Sequence, residues 1–334
     1  MAIYWHQTLS KTNMVILEQK TAPVAAAVMA GLTRKSKQLP SWLFYDEQGD
    51  AIFQSIMRMP EYYPTRCEYE IFQRQKEAIR QQFMAAGTPF RLVELGAGDG
   101  LKTEVLLKHF LDQHTDFEYW PTDISPNVLA ILQERLEHSL PTLTINPIAH
   151  RHEDALHTVA DDREHRHIFM FLGANIGNYS PLEAQAFINN LAGAMHSGDL
   201  LFMGFDLKKD PRIIRAAYDD PHGITRAFNL NLLTRLNREL GANFDIDAFD
   251  HAPYYDPETG AAKSYLVSLR NQDVRIEAMH RTIHFDAWET IHTEVSLKYD
   301  LAMIESLARK ANLEIVRHFA DSRDYFRDVL FRKP

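Results

Sequence analysis

Short apolar runs alternate with amphipathic segments through the middle of this chain. The apolar runs, which are typical of buried strands, cover residues 91–95, 117–122, 143–148, 167–172 and 199–205. Helical periodicity begins at 102 and recurs over 126–138 and 181–195. This alternation predicts a parallel, doubly wound α/β sheet. Ligands of such sheets bind beyond the carboxyl ends of the strands, so we expect a site at that edge.

The chain before this region is helical in pattern. Apolar residues recur at helical spacing in 52–57 and in 69–79. Between them, residues 60–66 contain two prolines around Tyr62 and Tyr63, which predicts a rigid turn that displays aromatic side chains.

The pattern changes again after Asp206, where a more polar segment predicts an inserted second unit. The elements predicted from there onward are a helix over 224–240, β-like runs at 263–269, 273–284 and 294–299, a helix over 300–311, and strands at 313–319 and 325–332. We expect the last two strands to return to the sheet.

A glycine loop joins the first strand of the central region to the helix that follows. Residues 94–100 are Glu-Leu-Gly-Ala-Gly-Asp-Gly, and glycines there allow a ligand to lie directly against the backbone. The helix behind the loop points free N–H groups at the same place. The dinucleotide fingerprint has its third glycine one residue later, which disfavours a nicotinamide cofactor.

Acidic residues accompany the loop. Glu94 stands just before it, and Asp123 ends the next apolar run about 20 residues on, where a carboxylate can accept both ribose hydroxyls. An acid, three alternate glycines and an acid ending strand two form the pattern of class I S-adenosylmethionine (SAM) methyltransferases. A glycine-rich turn that holds no ligand is the alternative interpretation.

Composition narrows the class of protein. The chain has 334 residues and a net charge of −9, and its basic residues are scattered, which argues against a nucleic-acid partner. No apolar run is long enough to span a bilayer, and the opening residues do not form a signal peptide, so we expect no membrane association. The single cysteine, Cys67, fits a reducing cytoplasm and lacks the neighbours of a catalytic thiol.

A group of histidines raises the question of a metal. Their spacing is irregular and no cysteine joins them, so loop histidines are favoured and no metal is expected. The group consists of His150, His152, His157, His165 and His167.

Five sequence blocks together resemble one family over nearly the whole chain: the ergothioneine-pathway L-histidine Nα-methyltransferases, with fungal relatives that methylate tryptophan-derived amines. The most specific blocks are Pro-Glu-Tyr-Tyr-Pro-Thr-Arg at 60–66 and Thr-Glu-Val-Ser at 293–296. The other blocks are 43–49, 93–96 with Lys102-Thr103, and 171–178.

The resemblance implies a class I SAM-dependent methyltransferase fold: a Rossmann-like, doubly wound α/β sheet with an additional α+β substrate-binding domain. The substrate-binding domain would consist of 1–66 and 206–296, and the SAM-binding domain of 67–205 and 297–334. The implied SAM-binding residues are Glu94, Gly96, Gly98, Lys102, which would neutralise the SAM carboxylate, Asp123, the ribose binder, and Asp154. Whether Glu153 or Asp154 contacts adenine stays open, because 150–154 departs from the family pattern.

The resemblance also implies the substrate site. Tyr62, Asn178 and Tyr218 would hold the α-amine and carboxylate as catalytic residues, and Glu294 and Ser296 would bind the imidazole. The remaining residues implied to bind the substrate are Tyr45, Phe53, Gly173 and Ser264. Ser264 replaces a methionine usual in the family, and Asn175 stands where threonine is common.

The leading hypothesis is therefore a cytoplasmic, monomeric enzyme that converts L-histidine to its trimethylammonium betaine, hercynine, with SAM. Methylation of another amino acid or amine, such as tryptophan, is the alternative that Ser264 and Asn175 motivate. A SAM-binding interaction module without catalysis is the alternative of a different class. An NAD-linked oxidoreductase is disfavoured by the glycine spacing.

Overall fold

The computed structural model describes residues 11–150, 154, 156, 158, 159 and 161–334, with the side chains of 11–21 excepted. The chain forms two compact units. The first consists of Met1–Glu61, Ile214–Tyr255 and Ala262–Glu294, and the second of Tyr62–Ile213, Asp256–Ala261 and Val295–Pro334. These bounds differ by a few residues from those expected from the sequence, and they place Tyr62 and Ser296 in the second unit.

Thirteen strands lie in the described part of the chain. They are β1 (Lys37–Gln38), β2 (Phe90–Leu95), β3 (Phe117–Asp123), β4 (Ile148–Ala149), β5 (Arg166–Phe171), β6 (Leu200–Asp206), β7 (Phe249–Asp256), β8 (Ala261–Ser268), β9 (Gln272–Ile276), β10 (Arg281–Phe285), β11 (Thr290–Leu297), β12 (Glu314–Ala320) and β13 (Phe326–Arg332).

The α-helices of the described residues are numbered in the same way. They are α1 (Lys11–Leu32), α2 (Glu47–Arg58), α3 (Tyr63–Phe83), α4 (Thr103–Asp112), α5 (Pro126–Ser139), α6 (Pro181–Ala194), α7 (Pro211–Ala216), α8 (Ile224–Leu240) and α9 (Leu301–Lys310). None of the helices in this part of the chain has the length and apolar character that crossing a bilayer requires.

A seven-stranded sheet forms the centre of the second unit, in the order β12-β13-β6-β5-β2-β3-β4. The five strands from β6 to β4 are parallel, which confirms the predicted doubly wound arrangement. The last two strands return to the sheet as predicted, but β13 is antiparallel to both β6 and β12. The sheet is therefore mixed rather than wholly parallel.

The central strands are continuous apolar runs because both of their faces are buried. All seven residues of β6 are buried, and β5 and β2 each have five buried residues of six. Such runs are typical of parallel strands covered by helices on both sides. The carboxyl ends of β2, β3 and β5 are consequently held in fixed positions by the core.

The first unit combines helices with a four-stranded sheet, in which β1 is parallel to β11. Its strands pair in the order β1-β11-β8-β7, and β9 and β10 form a separate hairpin. The predicted run 273–284 is thus two strands rather than one, because His280 takes a left-handed conformation (φ +48°) and reverses the chain. Helix α8 begins and ends where the sequence predicted, and the predicted strand at 143–148 is reduced to the short β4 and a bridge from Tyr119 to Ile145.

Candidate active site

The glycine loop after β2 is built for close approach. Gly96 and Gly98 both have left-handed backbones, with φ of +74° and +54°. The N–H groups of Gly96 and Ala97 donate to the Thr122 carbonyl oxygen, each at 2.9 Å, which ties the loop to the end of β3. A Cβ atom added to Gly98 would meet nothing within 4 Å. The backbone therefore borders open space that a cofactor can occupy, as the chemistry of a glycine cradle requires.

Asp123 lies at the carboxyl end of β3 beside this loop. Its Oδ2 accepts the Gly98 N–H at 3.2 Å, and its Oδ1 accepts the Ser125 N–H at 2.9 Å. Ser125 in turn caps α5 by accepting the Val128 N–H at 3.3 Å. The half-buried carboxylate is thus held at the loop, where the sequence predicted a ribose ligand.

Glu94 is buried beneath the loop. Its Oε1 accepts from the Thr103 hydroxyl at 2.8 Å and its Oε2 from the Tyr119 hydroxyl at 2.5 Å. Burial raises the pKa of Glu94 to about 7, and the two hydroxyl donors oppose that rise. Glu94, which the sequence predicted as a cofactor ligand, therefore connects β2 to the start of α4 and to β3.

Lys102 precedes α4 and forms an ion pair with Oε2 of the fully buried Glu68. Oε1 of Glu68 accepts the Gly173 N–H at 2.6 Å. Burial opposes the charge of Lys102, but Glu68, Asp328 and Glu94 together raise its pKa. The sequence analysis missed Glu68 and Asp328, because an acid on the buried face of a helix or strand gives no local signal of its partner.

Asp328 completes this group of acids. It is fully buried on β13, and burial followed by the charge of Glu68 raises its pKa well above the usual range. One lysine thus lies among three buried carboxyl groups, and burial favours the protonated form of two of them, Asp328 and Glu94.

The loop after β5 carries Gly173 and Asn178. A 3-10 helix over Asn175–Asn178 is anchored at its centre, since a Cβ on Gly177 would lie 2.6 Å from the Leu297 carbonyl oxygen. The Tyr299 hydroxyl also donates to the Ile176 carbonyl oxygen at 3.3 Å. These contacts fix the half-buried Asn178 near the end of β11.

Gly173 and Asn175 both lie in this loop, and Asn175 is one of the departures from the family pattern. Gly173 has a φ of +69°, and a Cβ there would lie 3.7 Å from the Lys102 Nζ. The side chain of Asn175 donates to the Leu172 carbonyl oxygen at 3.0 Å. Asn175 therefore supports the turn of the loop through this hydrogen bond.

Tyr62 and Tyr63 differ in their surroundings. Tyr62 is half-buried at the N-cap of α3, whereas Tyr63 is 2 % exposed and donates to Asp206. The prediction that this turn displays both tyrosines is wrong for Tyr63, because the side chain turns inward to a buried carboxylate.

Ser296 lies on β11 in the second unit. It is buried, and its Oγ accepts from the Lys298 Nζ at 2.8 Å. Glu294 stands two positions earlier, the spacing at which side chains of a strand share a face.

In the first unit, Tyr45 lies among three of the predicted substrate residues. Its ring centre is 5.7 Å from that of Phe53. Desolvation, and after it the charges of Glu294 and Asp50 and the neighbouring Tyr218, raise the pKa of the Tyr45 hydroxyl. Tyr45 is itself 43 % exposed. Tyr45, Phe53, Tyr218 and Glu294 thus form one cluster.

Ser264 lies on β8, the strand next to β11 in the sheet. It is 2 % exposed, and its carbonyl oxygen accepts from the Thr293 hydroxyl at 3.0 Å. The same hydroxyl lies 2.9 Å from the Asn229 Oδ1 on α8. Thr293 and Asn229, which the sequence analysis did not assign, therefore anchor the strand that carries Glu294.

The remaining predicted residues are the acids considered for adenine binding and the group of histidines. Asp154 is exposed and its carbonyl oxygen accepts from the Thr158 hydroxyl at 3.1 Å, while Glu153, His152 and His157 lie outside the described residues. Within the residues that are described, no histidine, cysteine and carboxylate group has the arrangement of a metal site.

A model of the family described as histidine-specific, SAM-dependent methyltransferase matches residues 24–333. The histidine N-alpha-methyltransferase of Mycobacterium tuberculosis (strain CDC 1551 / Oshkosh) is 36 % identical over 299 residues, which cover 90 % of this chain and 91 % of that protein. Ergothioneine biosynthesis protein 1 of Schizosaccharomyces pombe is 30 % identical over 241 residues, 70 % of this chain and 31 % of that protein.

Among solved structures, the CcbJ methyltransferase of Streptomyces caelestis is similar at a TM-score of 0.44 and 13 % identity, covering 84 % of this chain and 98 % of that one. The family match over most of the chain confirms the resemblance predicted from the sequence blocks, and with it SAM as cofactor. The chain therefore belongs to the family of SAM-dependent, histidine-specific methyltransferases.

Proposed function

We propose that this chain transfers methyl groups from SAM to the α-amine of L-histidine and carries the reaction to the trimethylated product, hercynine. The observation that carries the proposal is that Glu294 and Tyr218 lie close enough to Tyr45 to raise the pKa of its hydroxyl. The relative from M. tuberculosis, named as a histidine N-alpha-methyltransferase, supports the substrate and the position of methylation.

The residues proposed for the SAM site belong to the second unit. The loop at Gly96 and Gly98 would receive the cofactor, Asp123 would accept its ribose hydroxyls, and Lys102 would face its carboxylate. When bound, SAM supplies a methyl group on a sulfonium, which an amine with a free lone pair can displace. No covalent enzyme intermediate is needed.

The proposed catalytic residues act by positioning. Asn178 and the hydroxyls of Tyr62 and Tyr218 would hold the α-amine and carboxylate, so that the amine is presented in line with the methyl group. Neutral amide and phenol groups do this without placing a full charge beside the sulfonium. Tyr62 would also accept the amine proton or pass it to water.

Glu294 would set the specificity for histidine. A carboxylate in an enclosed site can accept an imidazole N–H, and it would be left unpaired if an apolar side chain were bound instead. Ser296, two positions further along β11, would address the other ring nitrogen.

The compartment and the oligomeric state belong to the same proposal. Cys67 is buried and burial raises its pKa to about 12, so it is an inert thiol that fits a reducing cytoplasm. Every residue given a role here comes from one chain, and we propose that a monomer is the active form.

The test is to incubate the purified protein with SAM and each of the twenty amino acids, and to measure the products by mass spectrometry. We expect a gain of three methyl groups on histidine alone. Methylation of another amino acid would support the reaction class but contradict the proposed role of Glu294. This alternative arises because Ser264 stands where the family usually has methionine. Binding of SAM with no amine methylated would favour an interaction module.

A further inference from the structure

A network of hydrogen bonds between buried polar side chains in the second unit includes Ser296. At its centre is Asp206, the last residue of β6, which is 1 % exposed. Its carboxylate accepts from the Lys298 Nζ at 2.8 Å, the Lys209 Nζ at 2.5 Å and the Tyr63 hydroxyl at 2.8 Å. The Lys298 Nζ also donates to the Ser296 Oγ at 2.8 Å.

The charges in this group keep its members in place. Burial opposes the charge of Asp206, but Lys298 and Lys209 together lower its pKa, so that the carboxylate stays ionised. The Lys298 side chain is fully buried, and a buried ammonium that loses its partner is costly. Lys298 is therefore held against Asp206 and cannot turn away from Ser296 without leaving a charge unpaired.

This arrangement determines whether the Ser296 hydroxyl donates or accepts a hydrogen bond. A lysine ammonium has three donors and no acceptor, so the bond from Lys298 must be accepted by the Ser296 oxygen. The serine hydroxyl keeps its own proton, which is then available to donate to a ligand. Glu294, two positions earlier on the same strand, is by contrast an acceptor when ionised.

We infer that Lys298, held by Asp206, is a positioning residue that fixes Ser296 as a hydrogen-bond donor and thereby selects a ring with a lone pair at that position. The inference rests on the proposed function and deepens it. A neutral imidazole offers one N–H and one lone pair, which match an acceptor and a donor. An imidazolium or a pyrrole ring offers no lone pair to Ser296.

A double-mutant cycle tests this coupling. Lys298→Met, Ser296→Ala and the double variant are compared with the wild type for kcat and for the KM of histidine and of SAM. We expect each single variant to raise the histidine KM about tenfold, the size of one hydrogen bond, with the SAM KM unchanged. Lys298→Met should have almost no further effect once Ser296→Ala is present.

Lys208→Met is the matched control. Lys208 also pairs with an aspartate of the second unit, Asp300, at 3.1 Å, and its side chain is partly exposed. This variant should leave both KM values unchanged. The inference would be overturned if the fold-changes in histidine KM of Lys298→Met and Ser296→Ala multiplied in the double variant. Histidine methylation by the wild type would still support the proposed function. A wild type that does not methylate histidine would overturn both the inference and the proposed function.

A second measurement covers the case in which Lys298→Met does not fold. The wild type and Ser296→Ala are compared on histidine and on the two pyrrolylalanines, whose rings have an N–H but a C–H in place of the lone pair. The wild type should favour histidine over both in kcat/KM by about tenfold, and Ser296→Ala should remove most of that preference. Equal kcat/KM values in the wild type would contradict a donor at Ser296.

Discussion

At the scale of single residues, the amino group of Lys102 is already engaged by a protein carboxylate. The resemblance to the family predicted that Lys102 faces the carboxylate of SAM, and the structure pairs it with Glu68, whose other oxygen accepts the Gly173 N–H. The same carboxylate thus joins Lys102, which follows the glycine loop, to the loop that leads to Asn178. A ligand carboxylate at Lys102 would be a second acceptor for a lysine with three donors.

Glu94 gives a prediction about pH. Its pKa is raised from 4.5 to about 7 in the folded protein, so the folded state keeps a proton that the unfolded state loses as the pH rises through that window. The stability it contributes is present below the unfolded pKa and is lost toward pH 7, about 3 kcal/mol in all. We expect the free energy of unfolding of wild type minus Glu94→Gln to fall by that amount between pH 4.5 and 8.

Urea unfolding of both proteins across this pH range measures the difference. Subtracting the variant removes the contributions of all other titrating groups, including Asp328. A difference that stays constant with pH would show that the Glu94 carboxylate is ionised in the folded protein, against the effect of its burial.

At the scale of elements, hydrophobic pattern predicted most helices and strands but not the direction of every strand. Helix α8 and the buried strands β5 and β6 have patterns that burial alone dictates. The antiparallel course of β13 depends on its pairing with β6, between residues more than a hundred positions apart, and apolar runs carry no sign of direction. The β9–β10 turn was missed because His280, rather than a glycine, takes the left-handed conformation.

Gly177 tests how the 3-10 helix positions Asn178. A Cβ there would lie 2.6 Å from the Leu297 carbonyl oxygen and 3.1 Å from its nitrogen, and neither backbone atom can move without shifting β11. We expect Gly177→Ala to lower the free energy of unfolding by about 1–3 kcal/mol and to reduce kcat for histidine, because Asn178 is displaced. Urea unfolding and steady-state kinetics check both effects.

Gly193→Ala is the control for that substitution. Gly193 lies within α6, and a Cβ there would meet nothing within 4 Å. This variant should gain about 0.5–1 kcal/mol, since alanine loses less backbone entropy in a helix, and kcat should not change. If the two variants behaved alike, the close contact with β11 would not be what fixes the loop.

At the scale of the whole molecule, the residues proposed for the reaction are spread along the chain from Tyr45 to Ser296, and some belong to the first unit and some to the second. Sequence blocks could name these residues because each block carries its own local pattern. The partners that hold them, Glu68, Asp206 and Lys298, were not predicted. Glu68 lies in an ordinary helix, Asp206 ends an ordinary strand and Lys298 directly follows β11, and the role of each depends on contacts with residues between two and 143 positions away.

The proposed monomer follows from the same distribution, because no role has been assigned to a residue from a second copy. We expect light scattering to give the mass of one chain, 38.6 kDa, and specific activity to stay constant over about a thousandfold dilution. A symmetric dimer that completes the site would instead give twice the mass and lose activity as it dissociates. A dimer whose activity is independent of dilution would contradict the oligomeric state but leave every residue assignment in place, so the two measurements together separate assembly from catalysis.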